Sequence, residues 1–163
     1  MDNTVSQFLG KAVPAVPFFL GLMGAGMGIY SLTSPYEAIR GFGLRGPPAD
    51  KATPQADAYQ KSLIYAYGIR NLGVGLGSMG LFAFGQFHPL CRSNPVAAAV
   101  ARKALGLTLL TGTVVGLLDA WLMRQYAQDL SVVGEAKEEA KKASTSHAMT
   151  AVVIFATGLF LYL

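Results

Sequence analysis

The chain has 163 residues, 52% of them hydrophobic and 13% charged, with 19 glycines and a net charge of +4. That length fits one domain, residues 1–163, and so apolar, charge-poor and glycine-rich a composition argues against a soluble core and for a polytopic helical bundle, which four apolar segments make an all-α integral membrane four-helix bundle. The thirteen Lys and Arg are scattered through loops and span ends rather than gathered in a stripe, which argues against nucleic acid as a partner. The single Cys91 excludes an internal disulfide and paired-thiolate metal sites.

Residues 1–11 read as a short polar tail, and residues 12–32 as a first span, about twenty residues without charge that cross roughly 30 Å at 1.5 Å per residue. A cleaved signal peptide competes with this reading, but the run is longer than a usual h-region and no clear small-x-small site follows. Gly21, Gly24 and Gly28 form a smooth ridge suited to close helix packing. Ser34-Pro35-Tyr36-Glu37 then reads as a helix start, with Ser34 as N-cap and Glu37 reaching back, opening a short interfacial helix over 35–41. Gly43 to Pro54 is a Gly- and Pro-rich connector.

Thr53-Pro54 repeats the capping signal, so the second helix starts outside the membrane and spans it over 62–86. His88-Pro89 and Asn94-Pro95 bracket a turn, and Asn94 caps a third helix spanning 104–124. Arg124 to Ser146 holds Lys137, Glu138, Glu139, Lys141 and Lys142 and reads as a solvated helical extension. Residues 146–163 form the fourth span. Both termini then lie on one side. Loops one and three together carry eight Lys or Arg against four on the opposite side, which favours a cytoplasmic placement of those loops.

The second span carries Arg70, and a guanidinium at mid-bilayer costs roughly 2.5–3.5 kcal/mol unless a partner or wet cavity receives it. By helical rise, Arg70 lies about 13 Å in from Lys61 and Asp119 about 8 Å in from Arg124. His147 opens the fourth span at the same face. Three helices thus bring a cation, a carboxylate and an imidazole to one half of the bilayer, where facing inward is their lowest-cost arrangement. Tyr67, Arg70, Asn71 and Val74 share a side of helix two, with Gly73 and Gly77 beside them; Gly112, Gly116, Asp119 and Tyr126 share a side of helix three. The glycines suit either close packing or a ligand. Arg70 with Asp119 is equally readable as a structural ion pair, and His147 as an interfacial histidine. No HExxH, GxSxG, P-loop or dinucleotide fingerprint is present, and Asp119 with the two histidines is a poor metal-ligand set, so neither metal nor cofactor is expected.

Tyr67-Gly-Ile-Arg-Asn-Leu-Gly-Val-Gly75, Leu118-Asp119-Ala120, His147 and Pro35 through Gly43 resemble the family known as domain of unknown function 4267, small four-span membrane proteins of bacteria and fungi. Asn71 stands where that family is associated with Asp, which removes a second carboxylate. The resemblance implies a place in fungal secondary metabolism, and with it a lipophilic polyketide or terpenoid substrate and a location in the endoplasmic reticulum membrane. The resulting expectation is a cofactor-independent intramembrane enzyme that opens an epoxide, by hydrolysis or cyclisation, or isomerises its substrate by acid/base chemistry. Asp119, His147, Arg70 and Tyr67 would be catalytic, and Asn71, Tyr126, Gly73 and Gly116 would bind substrate. The alternative is a non-enzymatic tetraspan partner or small carrier whose Arg70–Asp119 pair is structural.

Overall fold

Six helices account for the regular structure in the computed structural model, which describes residues 13–45 and 53–163. A single 3-10 turn at Val13–Ala15 leads into α1 (Val16–Thr33), followed by α2 (Pro35–Phe42), α3 (Pro54–Phe87), α4 (Pro89–Ser93), α5 (Pro95–Gln128) and α6 (Glu135–Tyr162). The proposed tail at 1–11 and most of the Gly- and Pro-rich connector lie outside the described residues.

Proline opens α2, α3, α4 and α5, where its missing N–H leaves no intrahelical bond unmade. Thr53 Oγ1 accepts from the Ala56 amide at 3.2 Å, and Asn94 Oδ1 accepts from the amides of Val96 and Ala97 at 2.9 and 3.2 Å, as the sequence predicts. His88 Nδ1 caps α4 in the same way, accepting from Leu90 N at 3.2 Å. Ser34 departs from expectation and makes no side-chain cap. Its amide donates to Tyr30 O and its carbonyl accepts from Ala38 N, so α2 continues the ladder of α1 and leaves little for a capping box to satisfy.

Val13–Thr33, Pro95–Gln128 and Glu135–Tyr162 are long and apolar enough to cross a membrane. The expected second span, 62–86, lies within the 34-residue α3, but Arg70, Asn71, the tyrosines and the glycines dilute its apolar character. Three helices therefore qualify by composition, not four.

The long helices form two antiparallel pairs, α1 with α3 and α5 with α6, each closed along small residues. A Cβ on Gly75 would lie 2.5 Å from the Ala25 amide nitrogen, and one on Gly106 would lie 2.7 Å from that of Tyr162, so these helices touch backbone to backbone. The pairs meet chiefly through α3 and α5. At the end holding the start of α1 and the end of α6, Leu105, Leu109 and Leu161 form an apolar core with Leu20, Leu81, Phe82 and Ile154. The other end of the bundle holds Arg70, Asp119 and His147.

The expected solvated extension from Arg124 to Ser146 is in fact the last turn of α5, a turn at 129–134 and the first part of α6, and it is not solvated all round. Ala140 is fully buried, Glu139 is ion-paired, and Ser144 Oγ donates to Ala120 O at 2.8 Å. A charge run of period three to four leaves one helix face free of charge, and small residues on that face let α5 come close.

Candidate functional site

Arg70 on α3 meets Asp119 on α5: Nη2 lies 3.4 Å from Oδ2. The depth matching read from helical rise is realised in space. The contact is long for a charge-assisted hydrogen bond, ordinarily about 2.7–2.9 Å, and it engages one of the guanidinium's five N–H donors. The Arg70 side chain is 43% exposed and Asp119 only 18%, so the carboxylate sits inside and the cation at the edge. The guanidinium carbon also stands 5.2 Å from the Tyr67 ring centroid, a cation-π distance, one turn back on α3.

Phe42, the last residue of α2, belongs to the stretch that carries the family resemblance but was not among the expected site residues, yet it joins the cluster. Its ring centroid lies 4.9 Å from that of Tyr67 and 4.6 Å from that of His147. The imidazole expected beside Asp119 is therefore in contact with an aromatic ring supplied by α2. Gly43 makes this insertion possible. It adopts φ 106°, where a Cβ is strained, and a Cβ there would collide with Ala143 and press on Met123 Sδ.

A polar clamp holds the end of α2 in place. Arg45 donates from Nε to Glu139 Oε2 at 2.6 Å and from Nη2 to Glu139 Oε1 at 2.7 Å, a bidentate pair, and Nη2 also lies 3.1 Å from Glu135. Those hydrogen bonds hold the Glu139 carboxyl below its ordinary value of 4.5. Tyr126 donates its hydroxyl to Arg45 O at 2.8 Å. At the other end of α2, Tyr36 hydrogen-bonds Asp57, which pairs with Lys61 at 2.9 Å. Arg45 sits in a connector with no periodicity, so neither pattern nor spacing could have assigned it a partner 94 residues away.

The remaining sequence candidates divide. Asn71 donates to Tyr67 O at 3.0 Å within its own helix. Gly73 and Gly77 have open space where a Cβ would stand, whereas a Cβ on Gly116 would stand 3.1 Å from that of Ala151, a packing contact between α5 and α6. Tyr126 is engaged with Arg45. The arrangement thus offers a sheltered carboxylate, a partly open guanidinium with unused donors, and a neighbouring phenol. Together these can accept a proton, hold an oxyanion and donate a proton.

A family model described as a domain of unknown function, DUF4267, matches residues 21–161, which takes in all of these side chains. No curated protein and no solved structure matches the chain.

Proposed function

Since the chain belongs to the domain of unknown function 4267 family, whose description assigns no activity, we propose a function from the chemistry of its polar cluster. The protein is a cofactor-independent intramembrane enzyme that opens an epoxide, by hydrolysis or cyclisation, or isomerises a lipophilic polyketide or terpenoid. The observation that supports this is the asymmetry of the ion pair: Asp119 is sheltered while Arg70 is open and, among the described residues, keeps most of its donors free. A purely structural arginine would spend those donors on the protein.

In hydrolysis, Asp119 takes a proton from water as the water oxygen bonds to an epoxide carbon and the C–O bond breaks. The released oxygen takes the phenolic proton of Tyr67, with Arg70 holding the developing negative charge. Return of the proton from Asp119 to Tyr67 restores the site, and the net change is addition of one water. Cyclisation replaces that water by a hydroxyl of the substrate. Isomerisation has Asp119 remove a C–H proton and Tyr67 supply one. His147, against Phe42, is the second candidate donor. Each well-placed acid or base is worth about 10²–10⁴ in rate. The substrate arrives through membrane lipid, and α3 is a fourth span, because its glycines lie against the backbone of membrane-crossing α1 over several turns. A fungal source and an endoplasmic reticulum membrane are the setting suggested by the family resemblance.

The deciding experiment supplies lipophilic epoxides in ¹⁸O-labelled water to membranes containing the protein. Wild type yields diol carrying one label, and Asp119→Asn yields none at equal abundance. Unchanged turnover in Asp119→Asn rejects the mechanism. A second reading, a tetraspan partner or small carrier with a structural pair, is favoured by Phe42, since the protein itself supplies the ring between Tyr67 and His147. That reading expects no conversion of the epoxide at all, to labelled or unlabelled product, and a loss of stability in Asp119→Asn.

A further inference from the structure

On α5 and α6, a concavity of about 500 Å³ lies at the loop end, lined by Arg124, Gln128, Lys137, Lys141, Ser144 and Thr145 together with Ala127. Three of these residues are cations, from two helices. Lys141 is shared with Glu138 at 2.8 Å, whereas Arg124 and Lys137 make no ion pair among the described residues. The two hydroxyls donate elsewhere, Ser144 to Ala120 O and Thr145 to Lys141 O, so the donors left for a ligand are the three cations and the neutral amide of Gln128. The groove is separate from the cluster around Phe42. Glu135 and Glu139, which hold Arg45, lie on a different side of α6 from Lys137 and Lys141.

Position identifies the ligand. Arg124 is one turn beyond Trp121, the only tryptophan of the chain, on the same side of α5. Trp121 is 56% exposed and Leu122 and Leu118 are exposed with it, which marks the edge of the apolar band, where tryptophan settles at the headgroup level of a bilayer. Cations one turn farther out stand at the depth of lipid phosphates. We infer that this groove is a binding site for the phosphate of an anionic membrane lipid, gripped by Arg124 and Lys137 with Lys141 as a third contact.

Trp121 is also the reporter. The full chain is reconstituted in vesicles of phosphatidylcholine with phosphatidylglycerol, with bromine on the acyl chains of one lipid at a time, and tryptophan quenching is compared. Brominated phosphatidylglycerol should quench wild type several-fold more than its bulk fraction requires. Arg124→Gln combined with Lys137→Gln should bring quenching down to the bulk fraction, and Lys142→Gln, a nearby cation that does not line the groove, should leave the preference intact. No preference in wild type overturns the site, as does a preference that survives the double substitution or falls equally with Lys142→Gln, which would mean diffuse surface charge. Should millimolar inorganic phosphate abolish the preference, the groove takes a soluble phosphate and the assignment to lipid fails.

Discussion

Asp119 and Arg70 give different readouts when changed singly and together. If the pair is structural, removing one partner leaves a charge in the bundle without its counter-ion, so Asp119→Asn and Arg70→Leu should each lower thermal stability in detergent. The cost is about 1–3 kcal/mol, below that of a sealed pair, because water or headgroups reach the open arginine. The double variant should recover part of the loss if the pair is structural; if catalysis is its role, the double variant stays inactive even where stability returns. Phe42→Ala is a second test at this scale. Losing a buried aromatic costs about 3–5 kcal/mol when the cavity stays empty, and less if a substrate fills it. Addition of a lipophilic epoxide should therefore raise the melting temperature of Phe42→Ala more than that of wild type. The ion pair was legible from sequence because charge in a span demands a partner and helical rise gives its depth. Phe42 was not, since an aromatic side chain among dozens of apolar ones carries no such demand.

Among the elements, the glycine seams and the clamp on α2 set the frame that holds the site. A Cβ on Gly75 would press on Ala25 N and Gly21 O at 2.5 Å, both backbone atoms that cannot swing aside, whereas Gly77 has open space. Gly75→Ala should cost about 1–3 kcal/mol by overpacking, while Gly77→Ala should be neutral or gain about 0.5–1 kcal/mol from helix propensity, both read as shifts in detergent melting temperature. The packing role of Gly21 and Gly28 was readable from their spacing, but whether Gly73 and Gly116 give room or contact was not, because that depends on how the helix is rotated toward its neighbour. The clamp has a pH signature. Glu139 titrates lower in the folded chain than in the unfolded one, so its pairing with Arg45 stabilises above the ordinary value of 4.5 and is lost as pH falls below it through the lowered one. The melting temperature of wild type should exceed that of Arg45→Met near neutrality, and the gap should close as the pH is lowered below 4.5. A gap that persists in acid would assign the stabilisation to the packing of the arginine stem.

For the molecule as a whole, the two ends of the bundle carry different chemistry, an apolar core at one and the polar cluster with its α2 insert at the other, and this division depends on α3 crossing the membrane. Composition alone leaves α3 short of a span, because Arg70, Asn71 and the glycines dilute its hydropathy. Three-dimensional packing restores the case, since α3 lies antiparallel along α1 and α5, both apolar enough to cross. A crossing α3 puts Tyr59 and Val133 on one side and Ser93 on the other. In a Cys91→Ala background, Tyr59→Cys and Val133→Cys should react with a membrane-impermeant maleimide from the same side of sealed vesicles, and Ser93→Cys only from the opposite one. By the Arg and Lys distribution, the Tyr59 side is the one expected to face the cytoplasm. If Tyr59→Cys and Ser93→Cys label from one side together, α3 does not cross, Arg70 lies at the surface rather than within hydrocarbon, and an exposed guanidinium needs no special partner. The pair with Asp119 would then be an ordinary surface contact worth under about 1 kcal/mol, and the enzymatic reading would lose its physical basis.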